Sequence, residues 1–283
     1  KSDMQKFNKI YIVACGTAMH AGLCGKNAIE KLCKIPTEVD IASEFRYRDP
    51  IIDEKTLCIF ISQSGETADT IAALKLAKSM KATTIAISNV IGSSITREAD
   101  YSIYTHAGPE IAVASTKAYT SQVVLINMLA IYFAEKLQSV DSKLLDDIKH
   151  EILALPKKIE ETLNCKDQII SFAKKIYQEK DMFFLGRGID EAVAKEGSLK
   201  LKEISYIHSE SYAAGELKHG PIALIESGVT VISIMTDKNL TPKTISNIQE
   251  VITRGAKTLV VTNQDINFNS YNEVIKIPET NTI

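Results

Sequence analysis

Short apolar runs alternate with amphipathic stretches along the whole chain. In the first half, residues 10–14, 37–41, 57–61, 83–88 and 101–104 read as strands, rich in β-branched residues on both faces. Helical patterns separate them, among them residues 68–80 and a long run from about Ser115 to Leu137. Strands that are apolar on both faces and separated by helices belong in a parallel sheet covered on both sides. The second half repeats the scheme with strands at 182–185, 229–235, 258–262 and 274–277. The fold class expected is therefore α/β.

The repeat has a register. A shift of 172 residues lays Gly16 on Gly188, and Ala42-Ser43-Glu44-Phe45-Arg46 on Ala214-Gly215-Glu216-Leu217-Lys218. The same shift lays 56–61 over 228–233, and a shift of 174 brings Asn89 onto Asn263. This is a duplicated α/β unit. The expected division is a first domain over 1–140, a polar and partly helical connection over 141–164, and a second domain over 165–283.

Composition adds little beyond exclusions. The chain has 283 residues, 45% hydrophobic and 24% charged, with a formal net charge of −2. That length suits two domains, and the charge gives no electrostatic footprint for nucleic acid. No apolar run reaches the roughly 18 to 20 residues of a membrane span. The polar N-terminus shows no signal-peptide pattern. Five cysteines without a C-x-x-C pair read as reduced thiols, so a cytoplasmic location is expected, with no metal site and no cofactor. The chain begins without Met and ends just after a strand-like run, which reads as a piece of a longer protein.

The chemistry concentrates in a few segments. Ser62-Gln63-Ser64-Gly65-Glu66-Thr67 follows a strand and opens a helix. Its hydroxyls, amide and glycine stand where helix N–H groups are unpaired and the dipole is positive, which suits a phosphate; a simple N-cap is the other reading. The second copy places Ile234-Met235-Thr236-Asp237-Lys238-Asn239 there, losing the Ser/Gly loop and gaining an acid. One anion site, in the first half, follows.

Cys15-Gly16-Thr17 ends the first strand, at the edge where open α/β sheets bind ligands. Cys15 reads as a small core or loop residue or as a reactive thiol, and Thr17 as an N-cap or a ligand contact. The dinucleotide pattern G-x-G-x-x-G is absent here and incomplete at Gly186-Arg187-Gly188. The loop Glu110-Ile111-Ala112-Val113-Ala114-Ser115-Thr116-Lys117 enters the long helix and offers Ser115 as cap or contact. In the second half Glu196, Lys200 and Glu203 share one helix face, either a solvated ion-pair row or an acid–base group. His219, followed by Gly220-Pro221, sits in a turn, where it can join such chemistry.

Together these motifs, in this order, resemble the isomerase half of the glucosamine-6-phosphate synthases, over roughly residues 10–277. The resemblance implies two tandem sugar-isomerase (SIS) domains, each a three-layer α/β/α sandwich around a five-stranded parallel, flavodoxin-like sheet. It implies fructose 6-phosphate as substrate and glucosamine 6-phosphate as product. Ser62, Gln63, Ser64 and Thr67 would hold the phosphate, with Cys15, Gly16, Thr17, Val113 and Ser115 nearby on phosphate or sugar. Glu203 would move a proton between C1 and C2, Lys200 would offset charge on oxygen, and His219 would open the ring from the neighbouring subunit of a homodimer. The residues of the 204–217 stretch are the expected part of that contact. Two parts of the family pattern have no match here: the N-terminal glutaminase domain and the C-terminal tail with its Schiff-base lysine. A non-catalytic sugar-phosphate sensor and a one-step phosphosugar isomerase are the competing readings.

Overall fold

A computed structural model describes residues 4–281. The chain falls into two compact units that divide between Ile148 and Lys149. The first runs β1 (Lys9–Ala14), α1 (Gly16–Cys33), β2 (Thr37–Ile41), α2 (Ala42–Phe45), β3 (Thr56–Ser62), α3 (Ala68–Ser79), β4 (Thr83–Ser88), α4 (Ser94–Glu98), β5 (Tyr101–Tyr104) and α5 (Lys117–Leu137). Its strands make one parallel sheet in the order β2-β1-β3-β4-β5. The winding reverses between β1 and β3, which opens a crevice at their carboxyl ends.

Alternation along the strands serves both faces. Tyr11, Val13, Cys58 and Phe60 pack with Phe45 of α2, Leu74 of α3 and Ile95 of α4. Ile10, Ile12, Leu57 and Ile59 point the other way and are as fully buried. On that side α1 lies against α5. Two glycines permit the approach. A methyl at Gly22 would meet Ile12 Cγ2 at 2.9 Å, and one at Gly25 would meet Ile126 Cγ2 at 2.2 Å. Each buried Ile, Leu or Phe adds about 1.5–3 kcal/mol to this arrangement.

Helix α6 (Ser142–Thr162) spans the division, and the second unit then carries α7 (Lys166–Ile176), β6 (Asp181–Gly186), α8 (Ile189–Ser205), β7 (His208–Ala213), β8 (Thr230–Met235), α9 (Thr241–Thr253), β9 (Lys257–Thr262) and β10 (Glu273–Lys276). Its parallel sheet, β10-β9-β8-β6-β7, has the same winding read from the other end. Phe183, Leu185, Val231 and Val251 form the core of one face, and Met182, Leu259, Phe172 and Ile176 that of the other.

The duplication holds in three dimensions. The 172-residue shift carries β1 onto β6 and β5 onto β10, and the 174-residue shift carries β4 onto β9. Gly16 and Gly188 both take positive φ, 53° and 60°, at the turn from first strand to first helix. Ala42 and Phe45 are fully buried, and so are Ala214 and Leu217. The strand that the hydrophobic pattern does not show is β7. It reads His208-Ser209-Glu210-Ser211-Tyr212-Ala213, too polar to stand out. It is an edge strand, and its buried Ser209 is held by a 2.9 Å bond to Ser198 Oγ and another to the Ser198 carbonyl on α8. Among the described residues no helix is long and apolar enough to cross a membrane.

Candidate functional site

The loop between β3 and α3 is built to leave donors open. Ser62 closes β3 and is buried; its hydroxyl accepts the Gly65 amide at 3.0 Å and lies 3.0 Å from Thr67 Oγ1. Gly65 sits at φ 69°, and a Cβ there would fall 2.0 Å from Ser93 Oγ, so only glycine fits this turn. Thr67 is the N-cap residue of α3, yet its side chain makes no cap bond. The simple capping role is therefore unfilled, and the first N–H groups of the helix, which have no intrahelical partner, receive no cap from Thr67.

The neighbouring acids are tied down. Glu66 accepts the Ser94 amide at 2.8 Å and starts α4; that bond, with the Ser94 hydroxyl, holds its carboxyl below the usual range. Asp69, in the first turn of α3, pairs with Arg46 at 3.3 Å.

This loop walls a cavity of about 250 Å³ at the carboxyl edge of the first sheet. Of the nine binding residues expected from sequence, Cys15, Thr17, Ser62, Gln63, Ser64, Thr67, Val113 and Ser115 all border it. Gly16 does not; its contribution is the turn at φ 53° that starts α1. Cys15 is the N-cap residue of α1, its thiol 4.0 Å from Thr70 Oγ1, so Thr17 is not the cap. Burial pushes the Cys33 and Cys58 thiols up to about 12, which leaves them protonated core residues.

The far wall is the loop before α5. Glu110 organises it: one carboxylate oxygen accepts Ser115 Oγ at 2.9 Å and the other accepts the Thr116 amide at 2.8 Å. The helix consequently begins at Lys117, two residues later than its sequence pattern implies. Val113 is 94% exposed at the cavity mouth. Ala18, Thr70 and Gln122 also border the cavity, although no motif singles them out, and nothing in the sequence gives Glu110 its role.

In the second unit, α8 does bring Glu196, Lys200 and Glu203 together. Lys200 Nζ lies 2.6 Å from Glu203 Oε2 and 3.6 Å from Glu196 Oε1. This is not a solvated row: the side chains of Glu196, Lys200 and Glu203 are 6%, 17% and 28% exposed. His219 ends a short 3-10 turn, Leu217–His219, and is exposed just before Gly220 at φ 139°. In the 204–217 stretch Ile204 and Tyr206 are exposed, whereas Ala214 and Leu217 are core residues and unavailable for a contact.

One family model, described as the SIS domain, matches residues 3–132 and again 175–282. The chain is 60% identical over 288 residues to the glutamine–fructose-6-phosphate aminotransferase (isomerizing) of Clostridium tetani, covering 100% of this chain and 47% of that protein. It is 56% identical over 284 residues to the protein of that name in Clostridium perfringens, again covering 47% of it. It superposes on the C-terminal domain of glucosamine-fructose-6-phosphate aminotransferase from Francisella tularensis with a TM-score of 0.95 at 38% identity, over 98% of this chain and 80% of that one. The chain spans about half the length of the curated relatives it matches. With both repeats matched by one model, it belongs to the SIS domain family, as a tandem pair of the kind that forms the C-terminal half of the isomerizing glutamine–fructose-6-phosphate aminotransferases.

Proposed function

We propose that this chain is the sugar-isomerising part of a glutamine–fructose-6-phosphate aminotransferase, with substrate held by the first half and proton transfer carried by the second. The observation that carries the reading is the convergence of Ser62, Gln63, Ser64 and Thr67, beside an uncapped helix start, on one cavity. Hydroxyls and open amides are what a phosphate needs. Fructose 6-phosphate is the sugar phosphate named by the relatives.

In this reaction ammonia condenses with the C2 carbonyl of the open sugar and water leaves. One base takes the proton from C1 and returns it to C2, while the O1 hydroxyl gives up its proton and the imine nitrogen gains one, which yields the aldehyde at C1 and the amine at C2 of glucosamine 6-phosphate. Glu203 is that base, and the Lys200 ammonium beside it offsets charge on the sugar oxygen as it develops. His219, exposed on its turn, serves ring opening in the site of a neighbouring subunit, which makes the active species a homodimer. Glutamine-derived ammonia comes from an N-terminal domain in a chain of the relatives' full length. The cytoplasm suits five cysteines that all stand as thiols rather than disulfides.

The test is Glu203→Gln in a chain of the relatives' full length, assayed with glutamine and fructose 6-phosphate. Product formation is expected to fall by about 10²- to 10⁴-fold, with fructose 6-phosphate affinity little changed. Near-normal turnover would reduce Glu203 to an ion-pair partner. In the unaltered protein, glucose 6-phosphate as product would point to a one-step isomerase, and binding without turnover to a sensor.

A further inference from the structure

Gln122 is out of place in its helix. It lies on α5 between Ala118 and Ile126 at four-residue spacing, on the stripe that faces the core, and is 2% exposed against 1% and 0% for those two. An amide in such a position needs partners, because buried polar groups are almost always bonded. Its Oε1 is buried without a hydrogen-bond partner. Gln122 is one of the residues bordering the cavity that the 62–67 loop and Ser115 also wall.

An acceptor oxygen there cannot serve the phosphate, whose own oxygens are acceptors; it needs a donor. The phosphate end of the ligand is already provided for by the hydroxyls of the 62–67 loop. What remains of a hexose phosphate is a set of hydroxyl groups, each able to donate. We infer that Gln122 is a sugar-binding residue: its amide oxygen accepts a hydrogen bond from a hydroxyl of the bound hexose while the 62–67 loop holds the phosphate. The inference rests on the sugar-phosphate reading above and deepens it. It gives the cavity a means to distinguish a polyol phosphate from phosphate itself, since an unfilled buried acceptor penalises any ligand without the hydroxyl.

The experiment compares the native protein with Gln122→Met, which keeps length and flexibility and removes the amide. Calorimetry is run with fructose 6-phosphate and with inorganic phosphate. Fructose 6-phosphate is expected to bind about fivefold more weakly or worse to the variant, and inorganic phosphate equally to both proteins. Equal affinity for fructose 6-phosphate overturns the inference, and so does a parallel loss for both ligands, which makes Gln122 a shaper of the pocket. Should the variant not fold, the native protein decides through a series of hexose 6-phosphates lacking one hydroxyl each. At least one should lose about fivefold, and a flat series overturns the inference. A native protein that binds phosphate but not fructose 6-phosphate refutes the functional reading, and this inference falls with it.

Discussion

The loops that follow the third strand of each half occupy the same place in the same winding. In the first half, Ser64 of that loop borders an open cavity, together with Ala18 on the facing helix. The 172-residue register puts Thr236 at the place of Ser64 and Asp190 at the place of Ala18. There the Asp190 carboxylate accepts the Thr236 amide at 2.7 Å and the Thr236 hydroxyl at 2.5 Å, and is itself 4% exposed. The second loop's donors are filled by an anion from its own chain, whereas the corresponding residues of the first loop border a cavity, the place where the reading proposed above puts a phosphate. A buried carboxylate with two strong donors is satisfied. The same carboxylate excludes a second anion, which is why one sugar-phosphate site per chain is expected.

Transplanting the carboxylate breaks the difference most severely. Ala18→Asp places in the first half what the second half has at Asp190. A carboxylate about 4 Å from a phosphate charge costs about 4 kcal/mol at the effective dielectric of a protein surface. Even half of that amounts to roughly thirtyfold in affinity. Fructose 6-phosphate binding by calorimetry is therefore expected to weaken by at least that factor, with the fold intact by circular dichroism. Affinity within about threefold of the native protein would show that the two loops do not correspond.

The reverse change has a smaller effect, on stability. Asp190→Ala strands the Thr236 amide and hydroxyl. Hydrogen bonds to a charged group are worth about 1.5–3 kcal/mol, and an orphaned buried donor adds to the loss. A fall of about 2–3 kcal/mol is expected for the second unit, read from amide exchange in β6 and β8, with the first unit unmoved. Exchange unchanged in β8 would mean that the internal anion is not what holds the loop.

Much of this architecture is legible in the residues themselves. Nine of the ten described strands stand out to within a residue or two: the central ones because parallel strands buried on both faces leave long apolar signals, and the edge strands β2, β5 and β10 through shorter runs of β-branched or aromatic residues. β7 does not, because it is a polar edge strand whose Ser209 is satisfied by Ser198 rather than by apolar packing. The register, applied to β2, points to it. The anion loop is readable from Ser62, Ser64, Gly65 and Thr67, since their chemistry is local. Asp190 is not: the sequence points to Asp237 as the acid of the second loop, and Asp237 instead accepts the Asn239 amide at 2.8 Å within the turn. Which acid fills a loop depends on the helix packed across from it. Gln122 does leave a signal, a lone amide on an apolar stripe, and Glu110 leaves none, because its two bonds form only once the loop closes on itself.

A last pair of equivalent contacts differs by a single charge. At the start of β4 the Asp100 carboxylate accepts the Thr84 amide at 2.9 Å and its hydroxyl at 2.8 Å. At the start of β9 the Asn272 amide oxygen accepts the Thr258 amide at 2.8 Å and its hydroxyl at 3.3 Å. Partial burial pushes the Asp100 carboxyl up, but the Thr84 amide and hydroxyl and the Lys78 ammonium outweigh it and hold the group below the usual carboxylate range. A depressed value in the folded state means that Asp100 stabilises fully above the unfolded value of about 3.9 and loses that contribution as pH falls through its folded value. Asn272 has no proton to gain, so the matching contact in the second half is indifferent to acid. Asp100→Asn should therefore convert the first contact into a copy of the second. Asp100 has a side chain 39% exposed, so solvent screens the effect to about 0.5 kcal/mol. The measurement is the difference in unfolding free energy between native and variant protein at about pH 6 and again near pH 3, which cancels the other acids. The native advantage is expected to be full at the higher pH and smaller at the lower. A difference that stays constant across that range would mean that the charge on Asp100 contributes nothing beyond what a neutral amide supplies.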